Sequence, residues 1–192
     1  MRKELNKVKT YKWGRRQENT WDNKTRFIYK TLNYKDLKRE CMKRFPENRE
    51  LKEYAICRWY NFHTHDSILR MFLGFKTIKI EKKPNHKTID IYINNKPFDI
   101  KLSVFPKKLL KKIDTITDKD LCVWLYKNQS YGDRKHLKSR LFIVVLDKLD
   151  PTKSWKVKRE FNAIRKQINI FMKRPKFIKL DEIKAGVIKV IV

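Results

Sequence analysis

Residues 88–106 read TIDIYINNKPFDIKLSVFP, two alternating apolar runs on either side of an asparagine pair, and the fold turns on how they are read. Side chains alternate between the two faces of a strand, so Ile89, Ile91 and Ile93 share one face while Asp90, Tyr92 and Asn94 share the other. In the second run Phe98, Ile100 and Leu102 oppose Asp99, Lys101 and Ser103. The Asn94-Asn95 pair suits the positive-φ positions of a tight hairpin turn. A loop of Asn94-Asn95 sets Asp90 opposite Asp99, and a loop of Asn95-Lys96 sets it opposite Lys101. Either register gathers the three polar residues, whereas an odd loop without a compensating bulge sends Asp90 to the other face.

Two directly opposed carboxylates repel by a few tenths to about 1 kcal/mol when exposed, and by more as they lose water. A positive group between them is therefore expected. Mg2+ or Mn2+ takes hard oxygen ligands and keeps positions for water and phosphate oxygens. Lys101, two residues after Asp99, points at the same place. The acid-x-Lys pattern alone is weak, because 35 lysines among 192 residues repeat it at Asp22/Lys24, Asp36/Lys38, Glu81/Lys83 and elsewhere. Only Asp99/Lys101 lies in an apolar strand with a second aspartate on the preceding strand. The ordinary alternative is a solvated polar face on a basic hairpin.

Outward from the hairpin, apolar periodicity predicts a helix over 50–72 and a strand over 76–82 before it. After it come helical pattern over 109–128, a buried strand over 141–147 and an amphipathic helix over 155–172. One or two short strands follow at the sheet margin, with Gly186 as punctuation. The expected architecture is α/β, a mixed central sheet flanked by helices, in residues 48–192. Residues 1–47 read as a basic aromatic N-terminal extension, bounded by a turn at Pro46 and Asn48. There Tyr11, Trp13, Trp21, Phe27 and Tyr29 alternate with Lys and Arg, a composition suited to stacking on bases and equally to ordinary packing.

Asp90, an eight-residue gap, then Asp99-Ile100-Lys101 resembles the D…(D/E)xK signature of the PD-(D/E)xK nuclease superfamily. The predicted element order is similar to its restriction-endonuclease-like core, α-β-β-β-α-β. Residues 88–106 together with WLYKNQS and RLFIVVLD also resemble segments of small uncharacterised bacterial members, over roughly residues 54–192. The resemblance implies a Mg2+- or Mn2+-dependent nuclease, an endonuclease before an exonuclease. In it Asp90, Asp99 and the Ile100 carbonyl hold the metal, and Lys101 positions water or phosphate. DNA is the expected substrate, with RNA the alternative, and either a monomer or a homodimer is compatible. The chain departs from the pattern in lacking a proline before Asp90. It also offers no clean fourth acid: Asp66 is the candidate, although Thr64 and Asp66 are read equally well as a helix cap and its first turn.

A formal charge of +28 and a sequence pI near 10.1 point to a polyanionic partner bound in a salt-sensitive way. Counting Lys and Arg against Asp and Glu gives +9 over residues 1–50, +4 over 51–100, +6 over 101–150 and +9 over 151–192. The least basic quarter holds both aspartates. The rival reading is a non-catalytic nucleic-acid-binding protein, either a degenerate nuclease fold or a basic RNA binder.

Residues 127–140, KNQSYGDRKHLKSR, form a second candidate region. Gln129 and His136 stand as additional site residues, His136 for proton exchange, while Arg134, Lys135 and Arg140 suit phosphate contacts. A solvated loop is the alternative. His63 and His65 flank Thr64 without a third metal ligand, so a capping turn is expected, and His86 reads as turn surface. Along 155–172 the apolar stripe is core, and Lys156, Arg159 and Lys166 face elsewhere, with Lys173 just beyond. Cys41, Cys57 and Cys122 are odd in number and scattered, as buried thiols in a reducing cytoplasm would be. No apolar run approaches a membrane span, and four glycines make no phosphate-binding loop.

Overall fold

The computed structural model describes residues 1–12, 20–81, 89–129 and 138–192. The chain divides into two compact units, Met1–Ser67 and Ile68–Val192. The division falls within a long helix, beyond the turn that the sequence marks at Pro46 and Asn48.

The first unit is helical. Short helices α1 (Arg2–Leu5) and α2 (Thr20–Lys24) precede α3 (Tyr34–Arg44) and α4 (Arg49–Leu69). Asn48 caps α4 by accepting the Leu51 amide at 2.8 Å, which satisfies one of the orphan donors of a helix start. Leu51, Tyr54, Ala55, Trp59, Tyr60 and His63 of α4 are buried. Around them the aromatic residues of the N-terminal segment pack on protein partners. Tyr11 donates to Asn61 Oδ1 at 2.8 Å, Trp21 meets Tyr54 edge-on at 5.5 Å, Phe27 lies 6.2 Å from Phe45, and Tyr29 meets Phe62 at 4.7 Å. Trp13 lies outside the described residues. The segment therefore belongs to a packed unit with its own apolar interior.

Thr64 and His63 depart from the expected capping turn. α4 runs unbroken through them, and Thr64 Oγ1 donates to the Tyr60 carbonyl at 2.8 Å inside the helix. The His63 ring is buried, with Nε2 2.9 Å from the Thr31 carbonyl and 3.3 Å from that of Ile28. A carbonyl only accepts, so Nε2 carries the proton.

The second unit is α/β. Strands β1 (Ile78–Ile80), β2 (Ile91–Ile93), β3 (Lys96–Val104), β4 (Arg140–Leu146), β5 (Ile178–Leu180) and β6 (Ile183–Ile191) form one mixed sheet in the order β1-β2-β3-β4-β6-β5. β3, β4 and β6 are mutually parallel, and the remaining pairings are antiparallel. Every residue of β4 is buried, as expected of a parallel strand covered on both faces. Leu141, Ile143 and Val145 pack with Ile164, Ile168 and Met172 of α7 (Phe161–Lys173). Phe142, Val144 and Leu146 pack with Leu121, Cys122 and Leu125 of α5 (Asp118–Gln129) on the other face.

Three boundaries differ from the sequence expectation. The pattern over 109–128 is a 3-10 stretch at Lys107–Lys112 followed by α5, which begins where Thr117 Oγ1 accepts the Asp120 amide at 3.1 Å. The helix expected over 155–172 is split into α6 (Ser154–Val157) and α7, because Glu160 leaves helical dihedrals at φ −79° and ψ 66°. The C-terminal residues are not confined to the margin, since β6 spans nine residues and pairs with β4 along its length. Gly186 accordingly sits inside a strand. A Cβ there would lie 2.8 Å from Leu141 Cδ1 and 3.1 Å from Phe171 Cζ, so the residue permits close helix–sheet approach and marks no turn.

None of the three cysteines is in a disulfide, and all three are buried. Burial pushes the Cys41 thiol up to about 11 and the Cys122 thiol up to about 12, which keeps both protonated and unreactive at neutral pH. Among the described residues, no helix is long and apolar enough to cross a membrane.

Candidate active site

The hairpin closes on Asn94 and Asn95, whose φ angles of 49° and 61° are those of a two-residue type I′ turn. Asparagine tolerates this region better than other side-chain-bearing residues. The register follows: Ile93 pairs with Lys96 and Ile91 with Phe98, and the paired ladder stops there, with Asp90 just before β2 and Asp99 next along β3. Of the two registers the sequence allows, the Asn94-Asn95 loop is the one formed.

The ladder changes character at Asp90. The Asp90 amide donates to the Phe98 carbonyl at 2.9 Å, one residue out of step with the Ile91–Phe98 register, and β2 ends there in a bulge. Asp90 Oδ2 then accepts the Ile100 amide at 2.7 Å. A regular strand would supply a main-chain carbonyl at this point, and the aspartate side chain supplies a charged acceptor in its stead. Asp99 donates its amide the opposite way, to the Ser139 carbonyl at 3.0 Å. Because the N–H and C=O of one strand residue point to the same side, the Ile100 carbonyl shares the Asp90 side of β3.

Asp99 is held by two cations. Lys101 Nζ lies 2.8 Å from Oδ1 and Arg140 Nε lies 3.4 Å from Oδ2. The side chains of Asp99 and Arg140 are 13% and 8% exposed, whereas Lys101 is 42% exposed. Arg140 opens β4 directly beside Asp99 in the parallel register, and its guanidinium stacks 5.1 Å over the Tyr126 ring. Tyr126 donates to the Lys138 carbonyl at 2.6 Å, and burial drives its phenol well above the usual tyrosine range. These interactions tie the start of β4 to α5. On the other side Glu81 donates its amide to the Asp90 carbonyl at 3.0 Å and accepts the Tyr92 hydroxyl at 2.7 Å, which raises the Tyr92 phenol.

Asp99 and Lys101 therefore share a face of β3 and touch directly, while the Asp90 carboxylate, just before β2, meets the main chain between them at the Ile100 amide. Arg140, expected to reach phosphate, is instead engaged from within by Asp99 and Tyr126. Its role was not readable from the loop sequence, because it depends on which strand lies beside β3. Asp66 lies near the end of α4 in the first unit, and Gln129 is the last residue of α5. Arg134, Lys135, His136 and His86 lie outside the described residues. Among the described residues no group of three His, Cys, Asp or Glu side chains is arranged to hold a metal ion. A cation drawing on the Asp90 and Asp99 carboxylates and the Ile100 carbonyl would meet a hard-oxygen set, suited to Mg2+ or Mn2+ and unsuited to zinc.

The chain matches no protein-family model, no curated protein and no solved structure.

Proposed function

We propose that this protein hydrolyses phosphodiester bonds in nucleic acid, DNA in preference to RNA, with Mg2+ or Mn2+, on a restriction-endonuclease-like core of the PD-(D/E)xK type. The observation that carries the reading is the Asp90 carboxylate held on the Ile100 amide, between Asp99 and Lys101, whose own side chains touch. Asp90, Asp99 and the Ile100 carbonyl would hold the ion. When bound, such an ion activates water and stabilises charge on a phosphodiester under attack. The Asp90 carboxylate is fixed by the Ile100 amide and Asp99 by Arg140, so neither must be ordered when substrate arrives. Lys101, the most exposed of the group, orients the attacking water or neutralises charge developing on phosphate. The high positive charge of the chain supplies affinity without sequence preference.

The second reading, a binder without catalysis, draws on one observation: both Asp99 oxygens already have cationic neighbours. Incubation of the purified protein with plasmid DNA and structured RNA, with Mg2+, Mn2+ or EDTA, separates the two. Hydrolysis predicts metal-dependent nicking that Lys101→Ala and Asp99→Asn reduce by at least about a hundredfold, with affinity nearly unchanged in Lys101→Ala. Tight binding with no nicking on any substrate supports the second reading.

A further inference from the structure

At the same end of the sheet, on the face opposite Asp99, three lysines converge. Lys179 and Lys184 are direct cross-strand partners in the β5–β6 pairing. Both belong to the face that α7 covers: along β6, Lys184 shares its side with Ile188 and Val190 of the α7-facing core, while Ile178 and Leu180 flanking Lys179 pack on the α5 side. Lys96, at the start of β3, shares that face with Phe98 and Ile100. Phe98 stacks on Phe177 at 4.9 Å, which draws the start of β3 and the approach to β5 together.

Like charges directly opposed on a sheet are unfavourable. Here the repulsion registers on Lys184, whose ammonium is held below the usual lysine range, first by the close approach and charge of the Lys96 ammonium, then by partial loss of water and the charge of Lys179. Asp181 and Glu182 form the adjoining turn, yet among the described residues neither makes an ion pair with these lysines. The end of α7 lies close by, since Phe171 would meet a Cβ at Gly186, two residues from Lys184 on the same face. Beyond it the outer side of α7 carries Arg165, Lys166 and Lys173 along a shallow groove of about 430 Å³, and the helix has no acidic residue.

Ser139 couples this cluster to the candidate active site. Its carbonyl accepts the Asp99 amide at 3.0 Å and its hydroxyl accepts the Lys184 amide at 3.0 Å. The two sites are thus backbone neighbours across one residue, with side chains on opposite faces of the sheet end.

We propose that Lys96, Lys179 and Lys184 form a phosphate clamp for the backbone of nucleic acid, placed across the sheet end from Asp99 and Lys101. The proposal rests on the nucleic-acid reading above, but not on catalysis. A chain of phosphates relieves the repulsion among the three ammoniums and extends onto the basic side of α7. A regularly charged polymer fits this layout, because the three lysines stand at the sheet end on the face that α7 covers, and α7 itself carries Arg165, Lys166 and Lys173.

The test compares the triple variant K96Q/K179Q/K184Q with K107Q/K108Q/K111Q, which removes the same charge from exposed lysines of the 3-10 stretch. Fluorescence anisotropy with a labelled DNA duplex is followed in EDTA over a salt series, with circular dichroism showing that both variants are folded. A clamp predicts a slope of log K against log salt lower by roughly 2 to 3 in the first variant, about 0.9 for each phosphate no longer neutralised. Affinity near 0.1 M salt falls at least about tenfold with it, and the control changes the slope by less than about 1. Equal behaviour of the two variants overturns the clamp, as does failure of the unaltered protein to bind duplex. Binding to phosphatidylserine–phosphatidylcholine vesicles that depends on the three lysines, with none to duplex, also overturns it and assigns the cluster to a membrane. Nicking is assayed separately with Mg2+: its absence strikes the hydrolytic reading and leaves the clamp standing, and equality of the two triple variants does the reverse.

Discussion

Asp90 Oδ2 accepts the Ile100 amide at 2.7 Å, so one carboxylate both closes the sheet ladder at the end of β2 and stands beside the main chain linking Asp99 to Lys101. Structure and proposed chemistry meet in this hydrogen bond. The amide partner orients Asp90 without a metal, and the bulge frees the side chain from the regular alternation that would otherwise govern it.

Asp90→Ala leaves the Ile100 amide without its charged acceptor. Hydrogen bonds to charged groups contribute about 1.5–3 kcal/mol, and a loss in that range is expected in urea unfolding followed by circular dichroism. Asp90→Asn retains an acceptor oxygen, so its stability should fall less, while metal-dependent nicking falls as far as in the alanine variant. Equal stability losses in the two variants would contradict the assigned hydrogen bond.

Arg140 is nearly buried between Asp99 and Tyr126. Removing one member of a buried pair costs about 3–5 kcal/mol, so Arg140→Ala should lower the urea midpoint sharply. A double-mutant cycle with Asp99→Ala checks the pairing: if the two losses simply add, the residues are not coupled.

Gly186→Ala forces a methyl against Leu141 and Phe171. Overpacking of a tight interior costs typically about 1–3 kcal/mol, and the thermal midpoint should fall accordingly. Pairing the change with Leu141→Val, which shortens the nearer side chain, is expected to restore part of the loss.

Burial holds the His63 imidazole below the ordinary histidine value, and the Thr31 and Ile28 carbonyls offset part of the shift. A depressed folded value means that the unfolded chain binds the proton more readily. The His63 contribution is therefore fully present above about pH 6.5, the unfolded value, and is lost as pH falls below it. His63→Phe should flatten the pH dependence of unfolding as pH falls below about 6.5. An unchanged profile would place the titration elsewhere.

Much of the second unit was legible because its signals are local. The alternation of 88–106 and the Asn94-Asn95 pair define a hairpin by strand geometry and turn sterics alone, and the apolar run at Leu141–Leu146 is a buried strand in any context. Boundaries failed where a side chain redirected the backbone. Asp147 leaves β4 because its carboxylate accepts the Leu149 and Asp150 amides, and Thr117 starts α5 later than apolar periodicity suggests. The aromatic residues of the N-terminal segment could be read for stacking on bases or for packing, since composition does not say what a ring touches.

The sequence by itself determined the hairpin, the shared polar positions of Asp99 and Lys101, the great excess of positive charge and the helical and strand character of most segments. These follow from dihedral preference, alternation and composition, which act over a few residues. The tertiary structure decided that β4 lies beside β3 and β6 beside β4. Those parallel pairings join residues far apart in the chain, and only they bring Arg140 to Asp99 and set the Lys184 amide on Ser139, beside the strand that carries Asp99.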